Sequence, residues 1–384
     1  MKNKLLSIIM AAMLTISVIP ITGCSLGGDE GSTITVAGES YAANESEIEI
    51  NAAEIEDLSV LSNFKNLTSL SLVNCNISDV SEIAKLTDLR KLVLSGNNIT
   101  DISELSKLTE LQVLSVSGNN ISDTSPLSGI ESLKSLDIGK NPISDITPIS
   151  GLKGLTNLYA DETAITDISC LSGLTNLEEL YLSYNNIMGF SAISDLKRLK
   201  ILSLDSSGIT GLGVISGLTD LEELYIGGND RIEDFRPLAQ LTKLRVLYAQ
   251  DTNLIDVSVL SSLSVLKELV LTNNGVEDLT PLHQSVALIR LNLEGDYVLS
   301  QESADAFKKA LPGCEAKFSE LKTQKELDEL NKSEESDTDT EETDTEEEDT
   351  DEEDTDDTDN SDSDESENVE NIVIIENVEV VTVE

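Results

Sequence analysis

Few residues of this 384-residue chain could carry chemistry, and they are scattered. The single histidine, His283, has no cysteine or evident nucleophile nearby in sequence. It offers nothing to build a serine or cysteine triad or a histidine metal site on, and reads as a surface residue. The four cysteines, Cys24, Cys75, Cys170 and Cys314, fall at unrelated positions, which argues against a disulfide framework. Cys75, Cys170 and Cys314 read as small packed residues. Glycines such as Gly96 and the Gly227-Gly228 pair recur at the ends of short alternating runs, where turns rather than phosphate loops are expected. Asp79, Asp101, Asp123, Asp145, Asp167, Asp234, Asp256 and Asp278 could be mistaken for a cation ladder. They share one offset just ahead of a serine, threonine or arginine, so turn bonding and capping is the better reading. No catalytic constellation results: neither an enzyme nor a metal or dissociable cofactor is expected.

What the chain does have is a period. From Leu67 to Ala287 one pattern returns every 22 residues, as in Leu89 to Glu110, LRKLVLSGNNITDISELSKLTE. It starts anew at Leu67, Leu89, Leu111, Leu133, Leu155, Leu177, Leu199, Leu221, Leu244 and Leu266, with one extra residue near Asp230 and a half repeat at Leu288. In LRKLVL the apolar Leu92 and Leu94 alternate with Lys91, Val93 and Ser95, the period of a strand with one buried face. Asn97, with equivalents Asn119, Asn141, Asn185, Asn229 and Asn274, can bond the backbone of the turn and of the next coil. Cys75, Thr163, Ser207 and Thr252 replace it. Ser103, Thr147-Pro148 and Thr280-Pro281 read as N-caps of the following helical turn. About six residues then remain before the next strand, enough for one tight 3₁₀ turn.

A repeat this short cannot bury its own leucines, so each must stack on its neighbours. The period and consensus identify the array as leucine-rich repeats, and from about Thr33 to Phe318 it resembles the internalin-like repeats of bacterial surface proteins. The expected fold is an α/β repeat solenoid, a leucine-rich repeat right-handed superhelix with a concave parallel β-sheet and convex 3₁₀ turns. Twelve strands from Ile48 to Leu293, roughly 4.8 Å apart, make an arc on the order of 50 Å.

The ends need covers. Residues 33–66 read as an N-terminal cap: a strand at Thr33 to Val36, a Gly38 turn, Tyr41, then a degenerate first coil with Ile48, Ile50, Ile55, Leu58, Leu61 and Phe64 at the apolar offsets. Residues 67–298 are the solenoid, and 299–318 the C-terminal cap, a helix from Ser300 stopped by Pro312-Gly313 and then a strand at Cys314 to Phe318. Residues 319–368 read as a linker and disordered acidic tail: Ser333 to Glu367 holds 22 of the 72 acidic residues and no basic or apolar one. The final residues, 369–384, are rich in β-branched side chains.

At the other end, residues 1–23 read as a signal peptide, with Lys2 and Lys4 before an apolar run ending in Ile21-Thr22-Gly23-Cys24. Small residues before a cysteine resemble the lipobox of a bacterial lipoprotein. The resemblance implies cleavage before Cys24, diacylglycerol on its sulfur, a lipidated linker over 24–32, and residence on the outer face of the bacterial cytoplasmic membrane. With 72 acidic against 25 basic residues the chain repels nucleic acid and bare anionic lipid, so lipid is its one expected membrane contact.

The outward face of the strands carries the remaining functional signal. Its central position runs Ser71, Val93, Ser115, Asp137, Tyr159, Tyr181, Ser203, Tyr225, Tyr248, Val270, Asn292, with Tyr184 nearby and acids at Asp161, Glu179, Asp205, Glu223 and Glu268. Tyrosine concentrates where proteins bind proteins. The expectation is an exposed patch, pointing away from the core, with which a monomeric, non-catalytic surface protein recognises a protein partner, a basic one if the acids steer it. The alternatives are a structural spacer without a dedicated ligand and a carbohydrate or cell-wall binding module, the latter disfavoured by the absence of tryptophan.

Overall fold

The computed structural model describes residues 33–55, 57–295 and 298–329. The expected signal peptide, Cys24 and the acidic tail lie outside them.

Each 22-residue repeat forms one coil: a three-residue strand, a tight turn, and a 3₁₀ turn that returns the chain. A thirteen-stranded parallel sheet results, running in chain order through β3 (Glu47–Asn51), β4 (Ser69–Val73), β5 (Lys91–Val93), β6 (Val113–Ser115), β7 (Ser135–Asp137), β8 (Asn157–Tyr159) and β9 (Glu179–Tyr181). It continues through β10 (Ile201–Ser203), β11 (Glu223–Tyr225), β12 (Val246–Tyr248), β13 (Glu268–Val270), β14 (Arg290–Leu293) and β15 (Glu315–Phe318). Register follows the repeat, so Leu158, Leu180, Leu202, Leu224, Leu247 and Leu269 stand in one column, every one fully buried. Short 3₁₀ turns such as Ser103–Lys107 and Ser169–Gly173 line the opposite side, each inserting one leucine or isoleucine.

The asparagine column does what its chemistry allows, with one change of direction. Asn97 Nδ2 donates to Leu94 O of its own coil and to Leu72 O of the preceding one, both at 2.8 Å, and its Oδ1 accepts from Cys75 N and Ile77 N at 2.9 and 3.0 Å. The neighbour it ties is therefore the preceding coil, not the next. Asn119, Asn141, Asn185, Asn229 and Asn274 are all buried and repeat the donation to the preceding coil's carbonyl. Without them the buried N–H and C=O groups of the turn would have no strand partner.

The aspartate row caps the 3₁₀ turns. Asp101 Oδ1 accepts from Ser103 N at 2.8 Å, and Asp79, Asp123, Asp145, Asp167, Asp234, Asp256 and Asp278 accept from the backbone N–H two residues on. This corrects the N-cap assignment: Ser103, Thr147 and Thr280 supply the N–H, and the aspartate two residues earlier supplies the capping oxygen. At the same offset Gly189 and Gly211 leave two adjacent coils without that cap.

One constraint escaped the sequence reading. The residue just before the asparagine position is left-handed in coil after coil, at Asn74, Gly96, Gly118, Lys140, Glu162, Tyr184, Ser206, Gly228, Asp251, Asn273 and Gly295. The turn from strand to rim demands positive φ there, and most coils accept the strain of a Cβ rather than use glycine.

Both ends are covered. β1 (Thr33–Val36) pairs antiparallel with β2 (Glu39–Ala42), a strand not anticipated, around Ala37-Gly38 at φ 50° and 80°. At the far end the helix α1 (Gln301–Ala310) is capped by Ser300 Oγ, which accepts from Ser303 N at 3.1 Å, and Phe307 buries beneath it. His283 is not a free surface residue: it is half-buried, with its ring centroid 6.4 Å from that of Phe307.

Candidate binding surface

The tyrosine column forms on the concave side, yet it is not the open patch expected. Tyr159, Tyr181 and Tyr225 are only 2%, 2% and 4% exposed and Tyr248 is half-buried, so the expectation of exposure is corrected. Tyr159 and Tyr181 form a small cluster of their own, separate from the leucine core, with Ile201 packed on it. In-register neighbours stand side by side on this face, so large side chains cover each other and their small neighbours, and Ser115, Ser135 and Ser203 are fully buried on it. Tyr159 and Tyr181 stack with ring centroids 5.0 Å apart, and Tyr225 meets Tyr248 edge-on at 5.1 Å.

Their hydroxyls find carboxylates. Tyr159 Oη donates to Glu179 Oε2 at 2.6 Å, Tyr225 Oη to Glu223 Oε2 at 2.8 Å, and Tyr248 Oη to Glu268 Oε1 at 2.5 Å, while Glu268 also pairs with Arg290. Burial first, and then the adjacent carboxylates, push the tyrosine hydroxyls well above their ordinary range, so they act as fixed donors. What remains half-exposed is the column beside them: Asn157, Glu179, Ile201, Glu223, Val246 and Glu268. From β8 to β13 the outward side chains include no lysine or arginine.

The other acids lie deeper. Asp161 Oδ1 accepts from Ser183 N at 2.6 Å and Asp205 Oδ1 from Gly227 N at 2.7 Å, each reaching to the following coil. Asp137, on β7, accepts from Ser115 Oγ at 2.8 Å and Gly139 N at 3.1 Å. These two sequence-predicted site residues, Asp161 and Asp205, thus serve the interior of the turn and offer a partner little surface. Tyr184 stands at the rim, 42% exposed in its left-handed turn, and Met188, further along the same coil, is 83% exposed. The sequence reading missed Met188, because its offset is polar in most other repeats, threonine at Thr166 and Thr210.

No cluster of three or more potential metal-ligating side chains occurs among the described residues, and no described helix is long and apolar enough to cross a membrane. The described cysteines, Cys75, Cys170 and Cys314, are free thiols, and burial raises Cys170 to about 11, far from reactive thiolate.

Residues 65–107, 109–151 and 153–198 match the family described as leucine-rich repeats (two copies). The fold is a leucine-rich repeat solenoid. An internalin of Listeria monocytogenes, InlF, superposes with a TM-score of 0.67 at 29% identity, covering 73% of this chain and 82% of its own. A leucine-rich repeat protein of Leptospira interrogans gives a TM-score of 0.58 at 27% identity, covering 68% of this chain and 74% of its own. No curated protein matches the sequence. Solenoids of this kind are typically binding proteins.

Proposed function

We propose that this solenoid is a non-catalytic protein-binding module, held on the outer face of a bacterial cytoplasmic membrane by diacylglycerol on Cys24, and that the concave strip from β8 to β13 contacts a protein with a cationic surface. The observation that carries this reading is the charge arrangement of the strip. Glu179 and Glu223 stand among Asn157, Ile201 and Val246 without a cation on them, Glu268 at the edge is paired with Arg290, and three tyrosine hydroxyls orient the carboxylates. Apolar floor between fixed acids suits the stem and head group of lysine or arginine, and the field speeds encounter with a basic partner. The tyrosines act as a preorganising layer, with Tyr184 as the exposed aromatic contact. Their burial counts against a sugar-stacking module, since ring faces pressed on each other are closed to a sugar.

Site-specific photo-crosslinking in cells tests this directly. A crosslinker at Ile201 should yield a discrete protein adduct that one at the convex Lys153 does not. Equal labelling from both positions, or none from Ile201, would leave the spacer role as the better account. The anchor is tested separately: Cys24→Ser should release the chain from the membrane fraction or leave it unprocessed, and a matured, detergent-partitioning variant would refute lipidation.

A further inference from the structure

We propose that Asp137, Asp161 and Asp205 form a proton-responsive row that adds negative charge to the concave centre in neutral surroundings and gives it up in mildly acidic ones, loosening the hold on a cationic partner. The last clause rests on the concave-face reading above; the behaviour of the row does not.

Asp137, at the end of β7, and Asp205, just after β10, are each 7% exposed, and Asp161, just after β8, is half-buried. Each carboxylate receives donors, Ser115 Oγ and Gly139 N on Asp137, Ser183 N on Asp161, Gly227 N on Asp205. Those neutral donors offset only part of the removal from water. The surrounding groups supply little positive charge. On Asp137 the one cation that acts is Lys140, itself shared with Glu162 at 3.7 Å on the open rim. Ser115 lies on one side of Asp137 and Tyr159 across from it on β8; Tyr181 and Tyr184 stand near Asp161, Tyr184 near Asp205 as well. Asp161 also feels both of its neighbours as like charges.

A second feature points the same way. Gln250 Oε1 is a buried acceptor with no donor, and its amide packs against Gly227, at 1.9 Å from where a Cβ would stand. Gly227 N is the donor to Asp205. A proton on Asp205 would bring a donor into that neighbourhood, where the ionised form brings only more acceptors.

Desolvation, as the leading cause, raises Asp137 to about 6, Asp161 to about 7 and Asp205 to about 6, from the ordinary 3.8. Because the folded state then binds protons more tightly than the unfolded one, stability should rise as pH falls from about 7.5 toward 5, the reverse of an ordinary salt-bridged aspartate.

The test is thermal melting of the mature chain without partner at about pH 7.5 and about pH 5.5, for wild type and for Asp137→Asn/Asp161→Asn/Asp205→Asn. Relief of overall negative charge raises both, so the difference is the readout. Wild type should gain about 5 °C more than the variant on acidification. Should the triple variant not fold, Asp161→Asn alone is compared, and carboxyl carbon NMR of wild type should show aspartate resonances titrating above about pH 5.5. Equal pH dependence of wild type and variant, or all aspartates titrating below about pH 5, would overturn the proposal. Since no partner is present, these results stand apart from the crosslinking outcome.

Discussion

The two sides of each coil obey different rules. On the inside of the coil, Leu180 and its column are buried in every repeat, and Asn185 and its equivalents bond the preceding coil in the same way wherever they occur. On the concave side nothing repeats so strictly: the central position passes from Ser115 through Asp137 and Tyr159 to Tyr248 and Asn292. The interior must satisfy the same backbone groups and fill the same space each time, whereas the concave position must only tolerate crowding. That freedom is where a repeat protein can carry specificity.

If this contrast is right, perturbations on the two sides should differ in size and reach. Leu180→Ala should destabilise by about 2–5 kcal/mol, the lost transfer energy plus an unfilled cavity, with hydrogen exchange rising first in residues 155–220. Loss spread evenly along the chain would break the nearest-neighbour picture. On the concave side Tyr181→Ala should also destabilise, by about 1.5–3 kcal/mol, because the ring is buried and stacked on Tyr159. A denaturant midpoint unchanged from wild type would mean that the tyrosine layer is not packed as described.

A smaller and opposite effect is expected at the convex turns. Gly211 has extended φ and ψ of −145° and 126°, the region used by the capping Asp57, and a Cβ there or at Gly189 meets nothing within 4 Å. Gly189→Asp and Gly211→Asp should each stabilise by about 0.5–1 kcal/mol, read as a rise in melting temperature. The added caps should also behave as the native ones do on acidification. Hydrogen bonds from the following turn hold Asp101, Asp145, Asp167, Asp256 and Asp278 below their ordinary range. Their contribution is present above about pH 4 and is lost as pH falls below it, a window separate from that of the buried row. Stability should therefore peak at about pH 4–5; a maximum at neutral pH would contradict the assignment of the proton-responsive row, and no loss below about pH 4 would contradict that of the caps.

How far the sequence revealed this depends on which force set each feature. The strands, the column of leucines, the asparagines' backbone bonding though not its direction, the cap helix after Ser300 and the closing strand β15 were legible, because each follows from local periodicity or capping chemistry. The tyrosines were legible as a column and misread as exposed. Alternation predicts which face a side chain takes, but burial on that face depends on the side chains that stand beside it in neighbouring coils, which no single repeat encodes. The left-handed position of Tyr184 was hidden for a related reason: its equivalents are glycine, asparagine, lysine, glutamate, serine and aspartate, so no residue type marks it. The carboxylates Asp161 and Asp205 looked like solvent-facing partners of the tyrosines, since only the fold shows that their oxygens turn toward the next coil's N–H groups.

The central claim is that the acidic strip, and not the convex turns, meets the partner. It is tested most directly by surface-plasmon binding of the crosslinked partner to Glu179→Gln/Glu223→Gln beside a convex control, Lys153→Ala, after melting curves show both folded. The account predicts slower association and a shallower salt dependence for the glutamine variant, on the order of tenfold weaker binding at low salt, with the control unchanged. Equal affinity and equal salt dependence for the two variants would contradict it.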